Sequence, residues 1–261
     1  QVHREGPLNL TSVHPVGPSS QVQPPSVLRL RLHSPSTRPG FWLRTMSPDL
    51  TLEAAEWYDC QLRASLSGIV GQLTDESWSL FTKPAHLSGR GVISAVNTRH
   101  AAHSASWFAS FANISRCFPS AVPLTAIDIA SPSSFYSTLP FVRGLRAAHS
   151  RVSSASTAVI DNINQLPIPK SVPTDRSVPE LSELDVRLPR AQQHFAVVVN
   201  TALWMDTFSG ASAPLRARML SMAKPGAMSA LYAVPSNHHG KLLPCAFINA
   251  IQLTLSVRLP L

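Results

Sequence analysis

Residues 51–73, TLEAAEWYDCQLRASLSGIVGQL, decide the fold class. Tyr58, Leu62, Leu66, Ile69, Val70 and Leu73 recur at steps of three and four residues, the period of an amphipathic helix and not the alternation of a strand. Ser47-Pro48 and Thr51 supply start signals, and Gly71 supplies a stop. The same pattern continues outward. Thr74 caps a predicted helix to Phe81, with Asp75 and Glu76 in the first turn, where the helix dipole favours negative charge. Gly89 and Gly91 punctuate the chain before an Ala- and Ser-rich helix, roughly Ile93 to Phe111, whose small side chains permit close approach of a neighbour. A further helix is expected from Phe141 to about Ser156, another from Pro189 to about Phe208, and a short one over Leu215 to Met222 behind Pro214. Lys224-Pro225-Gly226 reads as a turn, and Pro244 opens a closing segment through Phe247, Ile251 and Leu255.

Strand signals are weak throughout, so the expectation is a mainly α protein, with two helical lobes joined by a Pro-rich linker. Residues 1–40 carry seven prolines and no apolar period and read as a flexible Pro/Ser-rich segment. The first helical lobe takes 41–160, the Pro-rich linker 161–189 and the C-terminal helical lobe 190–261.

At 261 residues and 44% hydrophobic content the chain can bury a real core, and its 14% charged residues exclude a coiled coil or a charged tail. Lys and Arg number 22 against 14 acids, a net charge of +8 that suits a polyanionic partner. Cys60, Cys117 and Cys245 are odd in number and far apart, so no disulfide framework or paired-cysteine zinc site is expected, and a reducing compartment is the natural reading. No basic-then-apolar leader follows Gln1, and the most apolar stretch, Phe195 to Met205, is too short for a bilayer. The expectation is an intracellular protein without a membrane partner, nuclear and cytoplasmic locations not being separated.

Little of the sequence assembles into chemistry. His100 and His103 have a spacing that can place two imidazoles on one metal, but Arg99 adjoins them and no third ligand is near, so they read as surface or packing histidines. His238-His239 with Cys245 reads as a solvated turn. Ser88-Gly-Arg-Gly91 has the look of a phosphate-cradling loop but lacks the Gly-Lys-Ser/Thr of a nucleotide site. The acids Asp59, Asp128, Asp161 and Asp206 are scattered, and no Gly-x-Ser-x-Gly elbow occurs. No catalytic residue, metal site or cofactor is expected. Arg143, Arg146 and Arg151 project from overlapping faces of one predicted helix, and Arg216 and Arg218 flank another; guanidinium groups pair with phosphate and stack on bases. These five are the candidate nucleic-acid-binding residues, RNA or DNA the candidate partner, and a solubilising face the plainer account of each cluster. No protein partner is indicated.

Read in order, several segments resemble the region downstream of the polymerase core in reverse transcriptases of non-LTR retrotransposons. Phe41-Trp-Leu-Arg-Thr-Met-Ser-Pro48, Ala54-Ala55 and Asp59 resemble that family's Leu-Leu-Arg-Thr-x-x-Pro segment and its following helix. Glu76-Ser-Trp78, Pro84, Gly89-Arg-Gly91, Ala101-Ala102 and Ser106-Trp107 resemble its Trp…Pro…Gly-Gly-x-Gly segment and Ala-rich helix. Arg216-Ala-Arg218-Met-Leu-Ser221 and Pro225-Gly-Ala227, then Pro235-Ser236, Phe247 and Leu253-Thr-Leu255, resemble its later motifs. The resemblance covers 41–118 and 190–261. It departs where Ser88 replaces the first Gly of the glycine pair, where Ala230 falls near an expected Trp, and at Thr254 and Ser256, changes that suit a decaying copy. No Asp-Asp occurs for the family's catalytic aspartate pair, and no Cys/His-rich segment is present through Leu261. The resemblance therefore implies a non-catalytic piece of an RNA-directed DNA polymerase, not an enzyme on its own, that at most holds nucleic acid. The rival expectation is a standalone helical interaction module, with Trp57, Trp78 and Trp107 as anchors or a binding face, or a degenerate product with no selected activity.

Overall fold

A computed structural model describes residues 39–117, 124–166, 177–186 and 188–224. The flexible segment expected over 1–40, the resemblance segments beyond Pro225, the His238-His239-Cys245 group and the closing segment from Pro244 fall, apart from Pro39 and Gly40, outside the described residues. The described residues are mainly helical, as the periodicity requires, with no strand among them.

Short helix α1 (Gly40–Thr45) leads into α2 (Pro48–Val70), which begins behind Ser47 with Pro48 in its first turn and ends at Gly71, whose φ of 89° only glycine adopts cheaply. Helix α3 (Asp75–Phe81) carries the expected cap: the Thr74 hydroxyl accepts from the Ser77 N–H at 3.2 Å. After the 82–94 loop come α4 (Ala95–Cys117), α5 (Ala126–Ala130), α6 (Pro140–Asn162), α7 (Ala191–Gly210) and α8 (Ala213–Met222). Helices α4 and α6 run past their expected ends at Phe111 and Ser156, because no Pro or Gly follows before Cys117 and Asn162. Helices α1 and α5 were not expected. The second is secured by a capping box in which the Thr125 side chain accepts from the Asp128 N–H and the Asp128 carboxylate accepts from the Thr125 N–H.

The buried side chains form three clusters. Leu62, Leu66 and Val70 of α2 meet Leu80 and Phe81 of α3, Trp204 and Phe208 of α7, and Leu215 and Met219 of α8. Phe108 and Phe111 of α4 meet Val142, Leu145 and Val152 of α6, Ile129 of α5 and Phe195 of α7. Leu43, Ala55, Ala95 and Ala102 form the third cluster, where α1 and α2 lie against the Ala-rich side of α4. Gly144 lets α6 approach the start of α2, since a Cβ there would collide with the Ser47 side chain.

The division drawn at the Pro-rich stretch does not match a break in the packing. Helix α7 contributes to the first two clusters beside helices that precede the stretch, and Leu184, inside the presumed linker, is fully buried in the second. Proline ends helices locally; it does not prevent the next apolar residue from reaching a core that is already there. Among the described residues no helix is long and apolar enough to cross a membrane.

Candidate nucleic-acid interface

Helix α6 turns Val142, Leu145, Ala148, Val152, Ser156 and Val159 inward, which leaves Arg143 and Arg151 exposed and Arg146 half-buried on the outer side. Arg146 donates through Nη1 to the Ser131 carbonyl at 3.4 Å, a long bond that tethers it to the turn before α6. Neither Arg143 nor Arg151 has a carboxylate at ion-pair distance among the described residues. The helix packed beside α6 extends this character: α4 contains Arg99, His100, His103 and Arg116 and no Asp or Glu, and the only acid on α6 is Asp161 in its last turn.

Two electropositive side chains on α4 and α6 feel each other directly. His100 is held down to about 4, first by burial and then by the charges of Arg99 and Arg151, with Asp49 opposing. Arg99 itself donates from Nη1 to the Val96 carbonyl at 2.8 Å. Arg99 and Arg151 therefore act on one another across the α4–α6 junction, where Glu56 and Asp49 of α2 also act on Arg99, an arrangement that sequence spacing does not reveal. The readable signal for it was the absence of carboxylates along both helices.

Arg216 and Arg218 do not join this face. They stand on α8, which is anchored through Leu215 and Met219 in the first cluster, whereas Val142, Leu145 and Val152 anchor the arginine-bearing half of α6 in the second. Arg216 is exposed and Arg218 half-buried. The five candidate residues thus form two separate groups.

The backbone of Ser88-Gly-Arg-Gly91 is engaged within the protein. The Ser88, Gly89, Arg90 and Gly91 N–H groups donate to the carbonyls of Ala85, Pro84, Phe81 and Lys83, so they are turned into the loop and not toward a ligand. Ser88 sits at φ 67° and donates its hydroxyl to the Met219 carbonyl at 2.5 Å; Gly89 presses on the Lys83 carbonyl, where a Cβ would collide. The amino end of α4 is likewise occupied from within. Buried Asp59 of α2 accepts from the Ser94 hydroxyl at 2.5 Å, the Ala95 N–H at 2.7 Å and the Val96 N–H at 3.3 Å. Here the carboxylate neutralises helix-end donors that an anion would otherwise meet.

Beside this corner lies a cleft of about 510 Å3, bordered by Glu56, Trp78, Ser79, Lys83 and Asp206. Burial lowers Lys83 to about 8, with the charge of Asp206 opposing. Among the described residues no histidine lines the cleft, and Asp59 at its edge is committed to α4. A serine–histidine contact does occur elsewhere: Ser104 Oγ lies 3.1 Å from His149 Nδ1, with Ser153 Oγ 3.2 Å from Nε2. Both Ser104 and His149 are buried among Phe108 and Phe195, so the contact satisfies core polar groups. His103 is also buried, and no group of three or more metal-ligating side chains exists among the described residues.

The tryptophans divide. Trp57 is 64% exposed on the outer side of α2, while Trp78 and Trp107 pack partly against the first and second clusters. Comparison with family models, with curated proteins and with solved structures finds no match to this chain.

Proposed function

We propose that this chain is a non-catalytic helical piece, resembling the region that follows the polymerase core in non-LTR retrotransposon reverse transcriptases, which binds RNA or DNA inside the cell through the outer face of α6. The observation that carries this reading is the pairing of two 23-residue helices, α4 and α6, that present Arg99, Arg143, Arg146 and Arg151 with no acid before Asp161. Along α4 and α6 themselves the charge is of one sign as far as Asp161, which attracts phosphate, while Glu56 and Asp49 of α2 oppose it at Arg99. Arg216, on α8, is a separate outlying contact, and Arg218 a weaker one because it is half-buried.

The test is fluorescence anisotropy of a labelled oligonucleotide against the full chain at several salt concentrations. Binding through these arginines weakens steeply with salt, since each neutralised phosphate releases counterions. Replacing Arg143, Arg146 and Arg151 together by Gln lowers the magnitude of the log–log salt slope by roughly 2 to 3, about one for each lost contact. Binding that ignores salt, or no binding at low salt, overturns the proposal.

One observation favours a second reading, a helical protein-interaction module. Leu50 and Trp57 are 74% and 64% exposed and lie seven residues apart on one side of α2, a spacing of two helical turns. Pulldown of a protein partner that Trp57→Ala abolishes, without any oligonucleotide affinity, would select this reading over the first.

A further inference from the structure

We infer that the nucleic acid held by α6 is single-stranded and that one of its bases stacks on Phe135. The inference rests on the proposed nucleic-acid reading and adds to it the substrate class and the residue that selects it.

Phe135 is 83% exposed, the most exposed large apolar side chain among the described residues. Single exposed apolar residues are ordinary, but this one is held in place. It opens a 3-10 turn, Phe135–Thr138, capped by Ser134, whose side chain accepts from the Tyr136 N–H at 3.3 Å and whose carbonyl accepts from the Ser137 N–H at 2.9 Å. The Thr138 hydroxyl donates back to the Phe135 carbonyl at 3.0 Å, and the Phe135 ring meets Tyr136 edge-on at 5.7 Å. The backbone that carries the ring is therefore set before any ligand arrives.

The turn just before it holds a cation. The Ser131 carbonyl accepts both from the Ser134 N–H, one residue before Phe135, and from Arg146 Nη1. A ring and a guanidinium are thus carried on consecutive turns before α6 and held against them, and Arg143 follows on the outer side of the helix. Phe141, 39% exposed and stacked on Trp107 at 5.8 Å, adds a second aromatic at this end. The nearby acid Asp128 is engaged with its own backbone in the α5 capping box, and Glu180 and Glu183 accompany the 3-10 turn packed on α5, which bounds the basic face on that side.

Aromatic rings set among arginines suit a strand whose bases are unpaired, because stacking needs a base face that a duplex keeps covered. Phosphates meet the arginines while a base meets the ring. Stacking of this kind is indifferent to which base is offered, so little sequence preference follows.

The experiment compares a 20-nucleotide oligothymidylate, an abasic strand of the same length, and a duplex, each titrated with the full chain and with Phe135→Ala. The wild-type chain should bind the oligothymidylate about tenfold more tightly than the abasic strand, and Phe135→Ala should remove that difference while leaving the salt slope unchanged. Equal affinity of the wild-type chain for the two strands, or a preference for the duplex, overturns the inference and leaves the phosphate-binding proposal standing. Failure to bind any of the three overturns both. If Phe135→Ala changes self-association by size-exclusion chromatography but not the base-dependent affinity, the ring is a protein contact and the inference fails. Because Phe135 is so exposed, the variant should melt with the wild-type chain, which confirms that a loss of stacking is not a loss of fold.

Discussion

The corner between Lys83 and Val96 and the outer face of α6 are made of the same polar material and use it in opposite ways. In the corner every loop N–H from Ser88 to Val92 finds a protein carbonyl, and the first donors of α4 are taken by Asp59 and Ser94. On α6, Arg143 and Arg151 reach solvent with no carboxylate of the described residues at ion-pair distance. Satisfied polar groups in a low-dielectric corner fix geometry; unsatisfied ones on a surface are available to a partner. The corner is a structural clasp, while the helix carries the available charge.

The largest expected effect breaks the corner. Replacing Asp59 by Ala removes the acceptor of three hydrogen bonds and orphans buried donors at the start of α4, at a cost of about 3 kcal/mol, measured by urea unfolding. Asp59→Asn, which keeps an acceptor but loses the charge at the helix end, should fall between Ala and the wild-type chain. A loss below about 1 kcal/mol for the Ala variant would mean that water caps α4 as well as Asp59 does.

Acid attacks the junction of α4, α6 and α7 instead. His149 is buried and held at about 4 by desolvation, with Glu180 opposing, against 6.5 for a free imidazole. Between those values the unfolded chain takes up a proton that the folded chain refuses. Stability is therefore fully present above about pH 6.5 and is lost as pH falls through about 4, by on the order of 2–3 kcal/mol from this residue. His100 shifts in the same direction. Unfolding free energies at pH 7.5 and 4.5 test the sign: equal values would show that neither histidine is neutral by virtue of the fold.

How much of this was legible follows from the range of each interaction. Helices α2 and α3 were readable because their periods, caps and stops lie within a few residues of one another, from Ser47 to Gly71 and from Thr74 to Phe81. Helix α5 is five residues long and offered only the Thr125–Asp128 box. The Asp59 clasp joins residues 35 to 37 positions apart and leaves no local trace. The burial of Leu184 was hidden for the same reason, among prolines that suggest only a linker. At the candidate site the α6 arginines were visible in their spacing. Their union with Arg99, their separation from Arg216 and Arg218, and the place of Phe135 all depend on how distant segments pack.

Ser88 offers a smaller test within the corner, where two local terms can be separated. Its φ of 67° is strained for a side chain that bears a Cβ, while its hydroxyl donates to a Met219 carbonyl that also accepts from the Ala223 N–H. Ser88→Ala keeps the strain and loses the bond, so it should cost about 1 kcal/mol. Ser88→Gly loses the bond but relieves the backbone, and should lie at least about 1 kcal/mol above the Ala variant. Glycine is thus the residue that this backbone conformation favours at position 88. Equal stabilities for the two variants would show that the left-handed conformation relaxes once the hydroxyl is gone.

The smallest effect on stability is expected where the effect on binding is greatest. Arg143 and Arg151 have no ion pair to lose among the described residues, and the Arg146 bond to Ser131 is 3.4 Å long, so the triple change to Gln should alter unfolding free energy by no more than about 0.5 kcal/mol. Removing three like charges from one helix also relieves repulsion, which offsets the lost tether. Thermal melts of the triple variant and of Asp59→Ala, read beside their oligonucleotide affinities, set the two regions against each other: the clasp variant loses stability, and the helix variant loses binding alone. A triple variant that unfolds as readily as Asp59→Ala would place the arginines among the structural polar groups, and the contrast between corner and face would disappear.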